Sequence, residues 1–192
     1  MTTLPAAPFP NHDTHPDTDA GRRLVLAGVV VGTIAAVTES VPLGFQSTTP
    51  GTGHYQYAAD YWLTASALPH ALAALLVMVG IHRLQRGRDG RLGLAGLVVN
   101  VVSLLALSTI IVASLVLGHE VQAGPTYVVG TLGTFVGTAV FAAGSWRVGL
   151  LPRWVLAIWP FVWVIGSFAA FSASPLLLIP FYAVLVAVLA RR

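Results

Sequence analysis

The chain contains no cysteine and no lysine, and only 9% of its 192 residues are charged. Without cysteine there are no disulfides, thiolate metal sites or thiol nucleophiles. Without lysine, arginine carries all of the positive charge; with abundant Ala, Gly, Val and Leu, this composition suggests a GC-rich bacterial genome. The scarcity of charge excludes an ordinary soluble domain, which needs about a quarter of its residues charged to cover its surface. G-x-S-x-G, HExxH and paired intramembrane acids are also missing, so an enzyme is the least favoured reading. No basic start leads directly into a short apolar region, so the beginning does not read as a signal peptide.

What is present is apolar sequence, 56% of the chain, with a mean hydropathy of +0.79. A membrane-spanning helix needs about 20 mostly apolar residues. Six stretches qualify, at about 24–43, 63–81, 92–117, 127–145, 154–171 and 172–190. The expected fold is all-α: one polytopic integral membrane bundle of six transmembrane helices over residues 22–192. Residues 1–21, rich in Pro, Asp, Thr and His, read as a disordered cytoplasmic tail. Ser172 to Pro175 separates the last two stretches, and Pro175 suits the first turn of a new helix.

The ten arginines test this count. Two precede the first span, four lie in His82–Arg91 between the second and third, two lie between the fourth and fifth, and two follow the sixth. The other connections have none. Six spans place every arginine on one side, which argues for cytoplasmic N- and C-termini and a bacterial plasma (inner) membrane. The net charge of +3 is therefore explained by topology, and no nucleic-acid partner is expected. The outer connection from Gly44 to Trp62 reads as a flexible turn followed by HYQYAADYW, a candidate short helix on the membrane surface.

Glu39 and His70 are the only acid and the only histidine placed within the spans. Glu39 continues a stripe with Gly28, Gly32, Ala35 and Ala36, ~6 Å below the outer end of its helix. His70 shares a face with Ser66, Ala67, Ala73 and Ala74, ~10 Å below the outer end. Small neighbours allow close helix approach, so both side chains should turn inward at similar depth. Buried ionisable groups in a membrane are expensive and point to function, and a carboxylate beside an imidazole favours the protonated ring. The competing readings are a capped bundle mouth for Glu39 and a packing histidine for His70. Pro69 leaves the Ala65 carbonyl free for a side chain, water or ligand.

Further candidates are structural as much as chemical. Asn100, near the midplane of the third span, suits interhelical hydrogen bonding. Gly28 with Gly32, and Gly133 with Gly137, are GxxxG pairs that serve helix packing. Trp159 and Trp163, one turn apart, lie deeper than tryptophan's usual interfacial position and would line a cavity or pack against small faces. His54, Asp60, His119 and Glu120 are the candidates for a surface metal site, but without ligand-spaced pairs solvated loop charges are the plainer reading.

Three functional readings follow. The first is small-molecule binding or transport through an outward-facing cavity with Glu39 and His70 as a protonatable pair. The second is a non-catalytic accessory or regulatory subunit. The third is a redox subunit holding haem or quinone, although His119 lies ~10 Å above His70, a poor bis-histidine geometry. No cofactor is required by the first two. The expected partners are the lipid bilayer and, through the small-residue faces, a second copy or another membrane subunit.

Overall fold

The computed structural model describes residues 16–45, 53–121, 124–168 and 174–191. They form α1 (Pro16–Phe45), α2 (Ala58–Gln85), α3 (Gly90–Leu117), α4 (Pro125–Trp146), α5 (Arg153–Phe168) and α6 (Leu178–Ala190), with a 3₁₀ turn at Ser174–Leu177 leading into α6. There is no strand among the described residues, only an isolated antiparallel bridge between His54 and His119.

The molecule is built from two helical hairpins, α1 with α2 and α3 with α4. α5 lies against α4, and α6 closes onto α1. Small residues determine how closely the hairpins pack. A Cβ added at Gly28 would lie 2.9 Å from the Ala73 carbonyl oxygen, and one at Gly137 2.8 Å from the Asn100 nitrogen. Gly32 lies under the Tyr182 ring of α6, and Gly133 faces Ser103. All four GxxxG glycines thus make close contacts within the chain.

The centre of the bundle is apolar and aromatic. Met78, Ile81, Phe141, Leu156, Trp159 and Tyr182 are each at most 2% exposed. Trp159 stacks edge-on to Phe141 at 5.8 Å and lies 5.7 Å from Phe181, joining α4, α5 and α6. The outward faces of α1, α3 and α4 are also apolar: Val30, Ile34, Val102, Leu105, Val116 and Val129 are all more than half exposed. A surface of this kind belongs in lipid, which matches the low charge content.

Four helical segments are long and apolar enough to cross a membrane: Asp19–Ser40, Ala58–Gln85, Gly90–Leu117 and Pro125–Trp146. The last two elements fall short of the expected spans. α5 has 16 residues and α6 has 13. At 1.5 Å per residue α5 extends about 24 Å, less than the ~30 Å hydrocarbon core. Residues 169–173, where the two expected spans meet, lie outside the described residues.

Two helix starts differ from expectation. α1 begins at Pro16, inside the expected disordered tail. A Cβ at Gly21 would meet the Gly80 carbonyl oxygen at 2.9 Å, so packing against α2 carries the helix beyond its apolar stretch. The rest of that tail lies outside the described residues. In place of a separate surface helix, Ala58–Trp62 forms the first turns of α2. Asp60 Oδ2 caps this start by accepting from the backbone N–H groups of Gln56 and Tyr57 at 3.1 and 2.9 Å.

Candidate functional site

The small-residue stripes on α1 and α2 face each other, and their polar members meet. Glu39 Oε2 lies 2.7 Å from His70 Nε2. Glu39 is 7% exposed and His70 1%. Gly28, Gly32, Ala35 and Ala36 on α1 are buried, as are Ser66, Ala73 and Ala74 on α2. Helical periodicity thus presents both groups to the interface, and the absence of bulky side chains lets the helices approach.

The contact exists at two protonation levels. With one proton, a neutral imidazole donates its Nε2–H to a carboxylate. With two, either the carboxylic acid donates to Nε2 of an imidazole protonated on Nδ1, or the pair is imidazolium and carboxylate. Nδ1 is buried and has no hydrogen-bond partner among the described residues. His70 borders a cavity of about 10 Å³, lined also by Leu104, Leu107, Trp163 and Ser167.

The lipid-facing side of the α1–α2 hairpin carries a larger apolar groove of about 360 Å³. Ala35, one turn from Glu39, and Ser66, one turn from His70, are among its walls, with Ile34, Trp62 and Pro69. Trp62 Nε1–H donates to the Thr38 carbonyl at 3.0 Å and fixes one edge of this groove.

The remaining candidates have distinct places. Asn100 is fully buried between α3 and α4. Its Nδ2 donates to Thr138 Oγ1 at 2.7 Å and to the Thr134 carbonyl at 3.1 Å, so it clamps the second hairpin. Trp159 belongs to the aromatic core, whereas Trp163 reaches the cavity beside His70. That cavity has no room for a haem or quinone ring. His54 and His119 come together beyond the start of α2 and the end of α3, ring centroids 5.1 Å apart, and Tyr55 N–H donates to the Gly118 carbonyl at 2.7 Å. Asp60 instead caps α2, Glu120 is exposed, and no three potential metal-ligating side chains of the His, Cys, Asp and Glu types converge among the described residues.

A second histidine–acid contact escaped the sequence reading, which treated His82–Arg91 as a basic topological turn. His82 Nδ1 lies 2.6 Å from Asp89 Oδ2, and the Asp89 side chain is wholly buried. Arg86 takes a left-handed conformation (φ 51°), and Gly87 and Gly90 also have positive φ. The turn therefore folds back and delivers Asp89 to the end of α2. Gln85, also fully buried, accepts from Ser145 Oγ–H at 3.2 Å and ties this end to α4. The available signal was a lone aspartate among four arginines, seven residues after a histidine.

No protein-family model, curated protein or solved structure matches the chain.

Proposed function

We propose that the protein is a six-span bacterial inner-membrane protein that binds or transports a small molecule in a proton-linked manner, with Glu39 and His70 as the proton-binding pair. The observation carrying this reading is the 2.7 Å carboxylate–imidazole contact buried between two apolar helices. Ionisable groups in such a position cost free energy, and well-packed apolar residues would make a more stable bundle. A pair kept there is best accounted for by a task that needs a proton. The 360 Å³ groove over Ala35 and Ser66 falls within the size range of small-molecule sites and supplies an apolar binding volume one turn from the pair. In the six-span arrangement α5 and the 3₁₀ turn with α6 form the last two crossings, and all arginines remain on the cytoplasmic side. The cavity beside His70 is too small for a haem or quinone ring, which makes the redox reading the poorer one.

Infrared difference spectra of the reconstituted protein, recorded between acidic and alkaline buffer, test the proposal. A carboxyl band that titrates in the wild type and is missing from Glu39→Gln is expected, together with a change in its position in His70→Gln. In proteoliposomes carrying a pH gradient and an internal pH dye, a panel of small organic amines and acids should include members that collapse the gradient in wild type but not in Glu39→Gln. Spectra identical in wild type and Glu39→Gln would refute the proton-binding pair. Gradients indifferent to the protein across the panel would favour an accessory role.

A further inference from the structure

Three residues that line one small cavity each carry a buried polar atom without a partner among the described residues. His70 Nδ1, Trp163 Nε1 and Ser167 Oγ are all buried, and none has a hydrogen bond among the described residues. Their residues line the same cavity of about 10 Å³ between α2, α3 and α5. Trp163 and Ser167 are four residues apart, so they stand on one face of α5. The other walls, among them Leu104, Leu107 and Ile111, offer mainly apolar surface.

A buried polar group left without a hydrogen bond is costly, and three on residues around one void is an arrangement that proteins avoid. A single water needs about 10–15 Å³ of such space and typically makes about three hydrogen bonds. Volume and chemistry agree. We infer that the cavity beside His70 binds one structural water, held by Trp163 and Ser167, that bridges them to the Glu39–His70 pair.

With His70 neutral, the donor and acceptor count closes. Trp163 Nε1–H can only donate, so the water oxygen accepts from it. The water donates one O–H to Nδ1 of a neutral His70 and the other to Ser167 Oγ. When His70 is protonated at Nδ1, that N–H donates to the water oxygen, and the water keeps Ser167 as its acceptor. The change needs only reorientation of the water, and the contact from Nε2 to Glu39 is undisturbed. The groups packed around the imidazole are Glu39 from α1 and, across the cavity, the neutral Ser108 of α3 and Trp163 and Ser167 of α5. Glu39 is the charged group bonded to His70, and the other residues lining the cavity are all uncharged. Trp163 has its place deep in the bundle as a fixed donor to this water.

This inference rests on the Glu39–His70 pair, and the experiment separates the two. The full chain is labelled with ¹⁵N-histidine and studied in lipid bilayers by solid-state NMR, with the His70 signals assigned by their loss in His70→Gln. A correlation between His70 Nδ1 and water protons is expected in the wild type. In Ser167→Ala and Trp163→Phe the Nδ1 resonance should move and that correlation should weaken or vanish, while Nε2 keeps its position. An Nδ1 resonance with no water correlation, unchanged in both variants, would overturn the bound water. An Nε2 resonance unmoved by Glu39→Gln would instead overturn the pair beneath it. Ser167→Ala removes a single atom, and an unmoved Nε2 resonance in Trp163→Phe reports that the packing around the pair survives.

Discussion

Glu39 and His70 are 31 residues apart in the chain and 2.7 Å apart in the bundle, each the buried partner of the other. Removing one leaves the other uncompensated in an apolar interface, at a cost of about 3–5 kcal/mol. Glu39→Gln and His70→Ala should each lower the unfolding midpoint in nanodiscs. The double variant should lose less than the two singles together, by about 0.5–3 kcal/mol, because the contact is broken only once. Strict additivity would mean that the two side chains act separately.

The α3–α4 hairpin should discriminate between neighbouring glycines. A Cβ at Gly137 meets backbone, 2.8 Å from the Asn100 nitrogen and 3.0 Å from the Gly96 oxygen. Gly137→Ala therefore forces two helices apart, a strain of about 1–3 kcal/mol. At Gly133 the obstacle is the Ser103 hydroxyl, which can rotate away, so Gly133→Ala should cost less. Val128 is 54% exposed, and Val128→Ala should stay within about 0.5 kcal/mol of wild type. Unfolding of the three variants in one detergent ranks them, and equal losses would contradict the backbone contact.

At the turn between α2 and α3, His82 depends on Gly93. A Cβ there would overlap the Asp89 carboxylate, which occupies that space. Gly93→Ala should displace Asp89 and abolish its bond to His82. His82→Ala should then destabilise the wild type by about 1–3 kcal/mol and the Gly93→Ala protein by much less. An equal loss in both backgrounds would show that the histidine–aspartate contact does not support the turn.

Orientation can be read directly because the chain has no cysteine of its own. Glu120 and Arg88 are both exposed and lie at opposite ends of α3. Glu120→Cys should react with an impermeant maleimide added to intact cells, and Arg88→Cys only after permeabilisation. The reverse pattern would invert the topology and place the Glu39–His70 pair in the cytoplasmic half.

The helices were legible in the sequence wherever apolar runs were long. The four segments that qualify as spans were all anticipated, with ends displaced by only a few residues in α3 and α4. The large shifts came at α1 and α2, where a glycine contact and an aspartate cap extend the helices beyond their apolar stretches. Hydropathy registers transfer into lipid and is blind to both.

The inward stripes of Glu39 and His70 were equally legible, because helical phase is a local property that a few small residues disclose. Their contact was decided by the tertiary structure, since depth and phase leave the rotation and separation of two helices undetermined. The same holds for two tryptophans one turn apart. Sequence marked both Trp159 and Trp163 as deep, and only packing sent one into the aromatic core and the other to the cavity at His70. His82 and Asp89 met through a left-handed turn that four arginines concealed. Sequence by itself determined which faces turn inward and which end carries charge, both set by residues near one another in the chain. The tertiary structure alone decided which inward groups touch, because that depends on the summed packing of helices whose contacting residues lie far apart.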